Sequence, residues 1–170
     1  MKDFVILGID PGFSVTGFAV LSCKNNKTSI IDYGFLKFKS SDHLSIRTGQ
    51  FYTSFQNKMN EFNINQIALE TSFLGKNAQT FLKLGYLRGI LYLLADQHKA
   101  EIYEFSPRQI KMSVTGYGAA SKEQVAQMIL RMVPKLNELP KIEKTDVTDA
   151  MATAICGLWE NQQRFFMKRT

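Results

Sequence analysis

Asp10 ends the apolar run Val5-Ile6-Leu7-Gly8-Ile9 and stands immediately before Pro11-Gly12. Glu70 ends a second apolar run, Ile67-Ala68-Leu69. Asp146 and Asp149 are three apart at the start of a helical stretch, Val147 to Leu158. Acids on strands are normally solvated at edges, so two acids terminating buried-looking strands are unusual. Like charges gathered in a partly buried site repel strongly unless a cation neutralises them. A divalent metal is the natural neutraliser, and an oxygen-only set suits Mg²⁺ or Mn²⁺ rather than zinc. Two such ions would activate a water and stabilise a leaving oxygen, which is the chemistry of phosphodiester hydrolysis.

Three strand-like runs must hold the first acid: 4–9, 16–22 and 29–38, separated by the turns Asp10-Pro11-Gly12-Phe13-Ser14 and Lys24-Asn25-Asn26-Lys27. Phe51, Phe55, Met59 and Phe62 recur at three and four, which predicts an amphipathic helix over 44–62. Strand 66–70 follows, then a helix from about 78 to 95 with the stripe Phe81, Leu84, Leu87, Leu91 and Leu94. A short strand at 102–105 is closed by Ser106-Pro107, and 108–114 fits a short helix. Ser121-Lys122-Glu123-Gln124 is a capping-box signature for a helix ending near Val133-Pro134. The acid-bearing helix at 145–160 completes a single α/β domain over 1–160, a mixed β-sheet flanked by helices, with a basic tail at 161–170. Asp146 and Asp149, i and i+3, share one helix face. Asp10 and Glu70 meet that face if their strands are neighbours.

Hydrophobic residues at 45% and charged residues at 21% describe an ordinary globular chain and exclude a disordered one. No apolar run approaches the ~18–20 residues that span a bilayer. The start of the chain lacks signal-peptide architecture, and Cys23 and Cys156 read as buried small hydrophobes, so a cytoplasmic location is expected. The net charge is +6, and residues 107–144 hold seven Lys/Arg against three Glu. A basic band beside an acidic pocket suits a polyanionic substrate, although ordinary surface basicity gives the same count. His43 and His98 have no partner at ligand spacing and read as structural.

The motifs become specific as an ordered set. Gly8-Ile9-Asp10-Pro11-Gly12 with Thr16-Gly17 is followed by Ala68-Leu69-Glu70, Phe73 and Lys76-Asn77-Ala78. Then come Phe105-Ser106-Pro107-Arg108-Gln109-Ile110-Lys111, Val114-Thr115-Gly116-Tyr117-Gly118, Ser121-Lys122-Glu123-Gln124-Val125 and Asp146-Val147-Thr148-Asp149-Ala150. In this order and spacing the chain resembles the RuvC family of bacterial Holliday-junction resolvases, within the ribonuclease H-like superfamily. The resemblance runs from about Ile6 to Ile155.

The resemblance implies a ribonuclease H-like fold and a crossover junction endodeoxyribonuclease that nicks opposed strands of four-way DNA, leaving 5′-phosphate and 3′-hydroxyl ends. It implies that Asp10, Glu70, Asp146 and Asp149 bind metal and catalyse, with two Mg²⁺ ions per subunit and Mn²⁺ as a substitute. Lys122 and Lys111 match positions where the family places active-site and phosphate-contacting lysines. Phe73 matches an aromatic that stacks on a junction base, although a core phenylalanine is the alternative. Lys76, Arg88 and Arg108 are expected to contact the DNA backbone. The resemblance also implies a homodimer, since a four-way junction offers two symmetric strands, and a RuvAB-type branch-migration partner. Gly85 and Gly89 form a small-xxx-small face suited to close helix packing, within the chain or against a second subunit.

One stretch departs from the family pattern: Lys141-Ile142-Glu143-Lys144-Thr145 carries an acid where a basic or small-residue run is common. Three rival readings stand beside this one, among them a DNA-binding module that has lost catalysis, against which the presence of all four acids counts. The same acids would serve a nuclease acting on RNA–DNA hybrids or other branched structures. The opening hairpin also resembles the phosphate-binding turn of actin-like and sugar-kinase ATPases, which need a chain more than twice as long.

Overall fold

The computed structural model describes residues 3–71, 78–139 and 141–167. Five strands form one sheet in the order β3-β2-β1-β4-β5: β1 Phe4–Asp10, β2 Val15–Lys24, β3 Lys27–Lys37, β4 Gln66–Glu70 and β5 Glu101–Phe105. The three opening strands are antiparallel, joined by tight turns, whereas β4 and β5 run parallel to β1. Parallel pairing requires a crossover, and the helices α1 (Leu44–Phe62) and α2 (Ala78–His98) supply the two here.

Side chains alternate across the sheet, so each strand contributes to two cores. Val5, Leu7, Ile9, Phe18, Val20, Ile67 and Leu69 face α1 and α2, where Phe51, Phe55 and Leu91 are fully buried. Phe4, Ile6, Ala19, Leu21 and Ala68 face the other way, toward α3 (Pro107–Thr115), α4 (Lys122–Met132) and α5 (Lys141–Met167). The even-numbered positions of β1 and β4 therefore lie on the α5 side, and Asp10 and Glu70 fall in that series.

The expected elements are present, with three differences. The stripe of α2 buries only from Leu87 onward, and Phe81 is exposed rather than part of the core. A 3₁₀ turn at Pro134–Glu138 follows α4, because Pro134 cannot continue the helical ladder. Finally, α5 runs to Met167 instead of stopping near 160. Its last turns are held to the sheet edge: Arg164 pairs with Glu160 at 2.8 Å and Glu101 at 3.1 Å, and lies over the Tyr103 ring. The two capping boxes, Ser106 with Gln109 and Ser121 with Gln124, open α3 and α4. Cys23 and Cys156 are buried free thiols. Among the described residues no helix is long and apolar enough to cross a membrane.

Candidate active site

The four acids come together because β1 and β4 are adjacent and α5 crosses over their ends. Ile9 pairs with Leu69 in the parallel register, so Asp10 and Glu70 are the next residues out of two neighbouring strands. In the antiparallel register Asp10 faces Gly17. A Cβ on Gly17 would stand 2.0 Å from the carbonyl oxygen of Asp146, and one on Gly8 2.4 Å from that of Ala150. No side chain fits at either position, so α5 rests directly on the backbone of β1 and β2. Strand glycines that admit a close backbone approach thus bring Asp146 and Asp149 to the strand that carries Asp10. The turn after Asp10 is tied by the Thr16 hydroxyl, which donates to Gly12 O and accepts from Gly12 N, at 2.9 and 3.1 Å.

Asp10 is half-buried, and its carboxyl is pushed up to about 7, first by burial and next by the charge on Asp149. Asp146 and Glu70 add to this, while Lys122 opposes it. Burial and Asp149 also raise Glu70, against Lys122 and Lys111. Lys122 reaches in from the start of α4 and donates to Asp149 Oδ2 at 3.1 Å. Its ammonium is held above its ordinary value chiefly by Asp149, with Asp10 and Glu70 contributing. A cavity of about 300 Å³ opens beside these groups, lined by Glu70, Lys111, Lys122 and Asp149 over an apolar floor of Ile110, Val125 and Ala152.

The donor set fits a hard divalent cation: carboxylate oxygens alone, with one acid raised to about 7 first by burial and then by the neighbouring charge of Asp149. As the side chains stand, no three His, Cys, Asp or Glu among the described residues are gathered tightly enough to enclose an ion. Ligation would draw the carboxylates inward, against the repulsion that a cation relieves.

The remaining expected site residues divide. Lys111 lines the same cavity as Glu70 and Asp149. Arg108 lies against Gly118 in the link between α3 and α4, its Nε 3.2 Å from where a Cβ would stand. Phe73 and Lys76 fall outside the described residues. Arg88, expected at the DNA backbone, is instead engaged by the fold: it donates to Glu70 O at 2.6 Å and pairs with Glu104, leaving its side chain 12% exposed. His43 caps α1 through Nδ1, and His98 meets Gln56, so both histidines are structural. Sequence reasoning missed the part played by Gly8, Gly17 and the Arg88 network. Glycine within a strand was the available signal for the first two.

A mixed five-stranded sheet in the order β3-β2-β1-β4-β5, flanked by helices and crossed by α5, is a ribonuclease H-like fold. The description "Crossover junction endodeoxyribonuclease RuvC" belongs to the family model that matches residues 6–157. The chain is a member of that family, whose enzymes are metal-dependent nucleases of DNA. It is 40% identical over 156 residues to the RuvC protein of Halothermothrix orenii, covering 89% of this chain and 90% of the relative. It is 41% identical over 154 residues to that of Chlorobium phaeobacteroides, covering 91% and 81%. The structure of Thermus thermophilus RuvC superposes with a TM-score of 0.80 at 24% identity, over 94% of this chain and 96% of that one. The same protein in complex with a Holliday junction substrate gives 0.79 at 22% identity. Family membership over nearly the whole chain sets aside the ATPase reading.

Proposed function

We propose that this chain is a Mg²⁺-dependent, structure-selective endonuclease that resolves four-way DNA junctions by paired symmetric nicks, in recombination and repair. The observation that carries the reading is the electrostatic coupling of Asp10 to Asp149, Asp146, Glu70 and Lys122, with Glu70, Asp149 and Lys122 lining one cavity. Asp10, Glu70, Asp146 and Asp149 would hold the metal. Bound there, Mg²⁺, or Mn²⁺ in its place, would activate water and screen the leaving 3′ oxygen.

The chain's own groups do the rest. Lys122 is held charged by three carboxylates, and its exposed ammonium can swing from Asp149 to a scissile phosphate oxygen as negative charge develops. Lys111, which lines the same cavity, and Arg108 fit the neighbouring phosphates as point charges. Phe73 and Lys76, just past Glu70, are proposed to stack on a junction base and to hold its backbone. The outer face of α2 supports a homodimer: Leu82, Tyr86 and Leu93 are exposed, and among the described residues nothing from another element stands within 4 Å of a Cβ built on Gly85 or Gly89. Exposed apolar side chains flanking open glycines suit a second helix at close range. A RuvAB-type motor and a cytoplasmic location complete the proposal.

The test offers three end-labelled substrates with Mg²⁺: a four-way junction with a mobile core, linear duplex of the same sequence, and an RNA–DNA hybrid. Paired nicks on the junction alone, lost in Asp10→Asn, are expected. Cleavage of the hybrid in preference would overturn the substrate while keeping the fold and acids.

A further inference from the structure

Glu70 is the last residue of β4, and its backbone has outrun one of its neighbours. The β1 pairing stops at Ile9 with Leu69, while on the β5 side the next donor, Thr71 N, bonds to Phe105 O at 2.8 Å. The carbonyl of Glu70 is taken by the Arg88 guanidinium at 2.6 Å. Arg88 Nη2 pairs with Glu104 of β5, and Tyr92, one turn further along α2, closes the set by donating to Glu104 at 2.8 Å. One planar fork thus ties the exit of β4 to a helix on one side and to the edge strand on the other. A guanidinium does this where an ammonium cannot, because its donors are fixed in direction.

We infer that Arg88 is a positioning residue: by holding the Glu70 carbonyl against Glu104, it sets the direction in which the Glu70 carboxylate meets the metal. The inference rests on the proposed function of Glu70. Groups that orient a ligating side chain typically carry about 10- to 100-fold in metal affinity or activity. A phosphate contact, the role expected of Arg88 from sequence, would act instead on DNA affinity.

The experiment compares wild type with Arg88→Met, which keeps the stem and removes the fork. Three readouts are needed: Mn²⁺ affinity without DNA, junction affinity without metal across a salt series, and single-turnover cleavage. Mn²⁺ binding weaker by about ten-fold or more is expected, with cleavage reduced to match. Junction affinity and its salt slope should not move, and amide exchange at Thr71 should quicken. Arg88→Lys should recover little, since a compact ammonium lacks the fixed, spread donors that span both acceptors. A salt slope shallower by about one, with Mn²⁺ affinity unchanged, would overturn the inference and return Arg88 to the DNA surface. Unchanged Mn²⁺ affinity and exchange would overturn it equally. Should Arg88→Met fail to fold, Glu104→Gln replaces it, keeping an acceptor but losing the charge pair, with the same pattern expected in weaker form. A wild-type protein that leaves junctions uncut would sink the proposed function, while the Mn²⁺ and exchange readouts would still judge Arg88.

Discussion

Asp10 in the metal-free protein carries its proton far above the range of an ordinary carboxyl, because it is buried and beside Asp149. A folded-state value near 7, against 3.8 for the free group, means the folded chain binds the extra proton between those limits. Its contribution to stability is then present in full below about pH 4 and lost as pH rises through 7. Metal-free protein should therefore melt at a higher temperature at pH 5 than at pH 8, and Asp10→Asn should flatten that difference. Mg²⁺ should restore most of the loss at pH 8, since a cation favours the ionised acids. A melting temperature that climbs from pH 5 to 8 without metal would contradict this account. Lys122→Ala tests the opposite charge. Removing it takes away what holds Asp10 and Glu70 down, so both should rise further, and cleavage should fall by about 100-fold. Unchanged cleavage and an unchanged pH–rate profile would take Lys122 out of the site.

At the scale of the element, the decisive contact is α5 against the backbone of β1 and β2. Gly17→Ala would force a methyl group into the Asp146 carbonyl and lift the helix that carries two acids. A loss of about 1–3 kcal/mol in stability is expected from overpacking, with a larger proportional loss of cleavage. Gly49→Ala on α1 is the control, because among the described residues nothing from another element stands within 4 Å of the added carbon. Helix propensity predicts that it stabilises by about 0.5–1 kcal/mol, and urea titration of both variants would show the contrast. Local signals located most helix starts well. Ser121 with Gln124 was legible, since a capping box is complete within four residues, whereas the same box of Ser106 with Gln109 emerged only in the structure. The extension of α5 to Met167 was not, because Arg164 finds Glu101 63 positions away in the chain.

The whole molecule presents two surfaces of opposite kind. One is the charged cavity at the ends of β1 and β4, and the other is the apolar outer face of α2. If α2 pairs two subunits, Tyr86→Glu should yield a monomer in sedimentation, with the fold and the metal site intact. Such a monomer should nick one strand at a time and lose the pairing of cuts on a supercoiled cruciform. A variant that stays dimeric, or a monomer that still cuts both strands together, would move the subunit contact elsewhere.

The acids themselves, their neighbours in sequence and the order of strands and helices were all set by the chain alone, because alternation, periodicity and capping act over a few residues. The sequence could present Asp10 and Glu70 as strand ends, but only the sheet order made β1 and β4 neighbours. Only tertiary structure showed that the missing side chains of Gly8 and Gly17 are the seat of α5. It also showed Arg88 bonded to the Glu70 backbone and to Glu104, since a long cationic side chain finds whichever acceptors the fold sets within its reach. Contacts between residues far apart in the chain depend on which surfaces are buried together, and that is settled by packing rather than by local pattern.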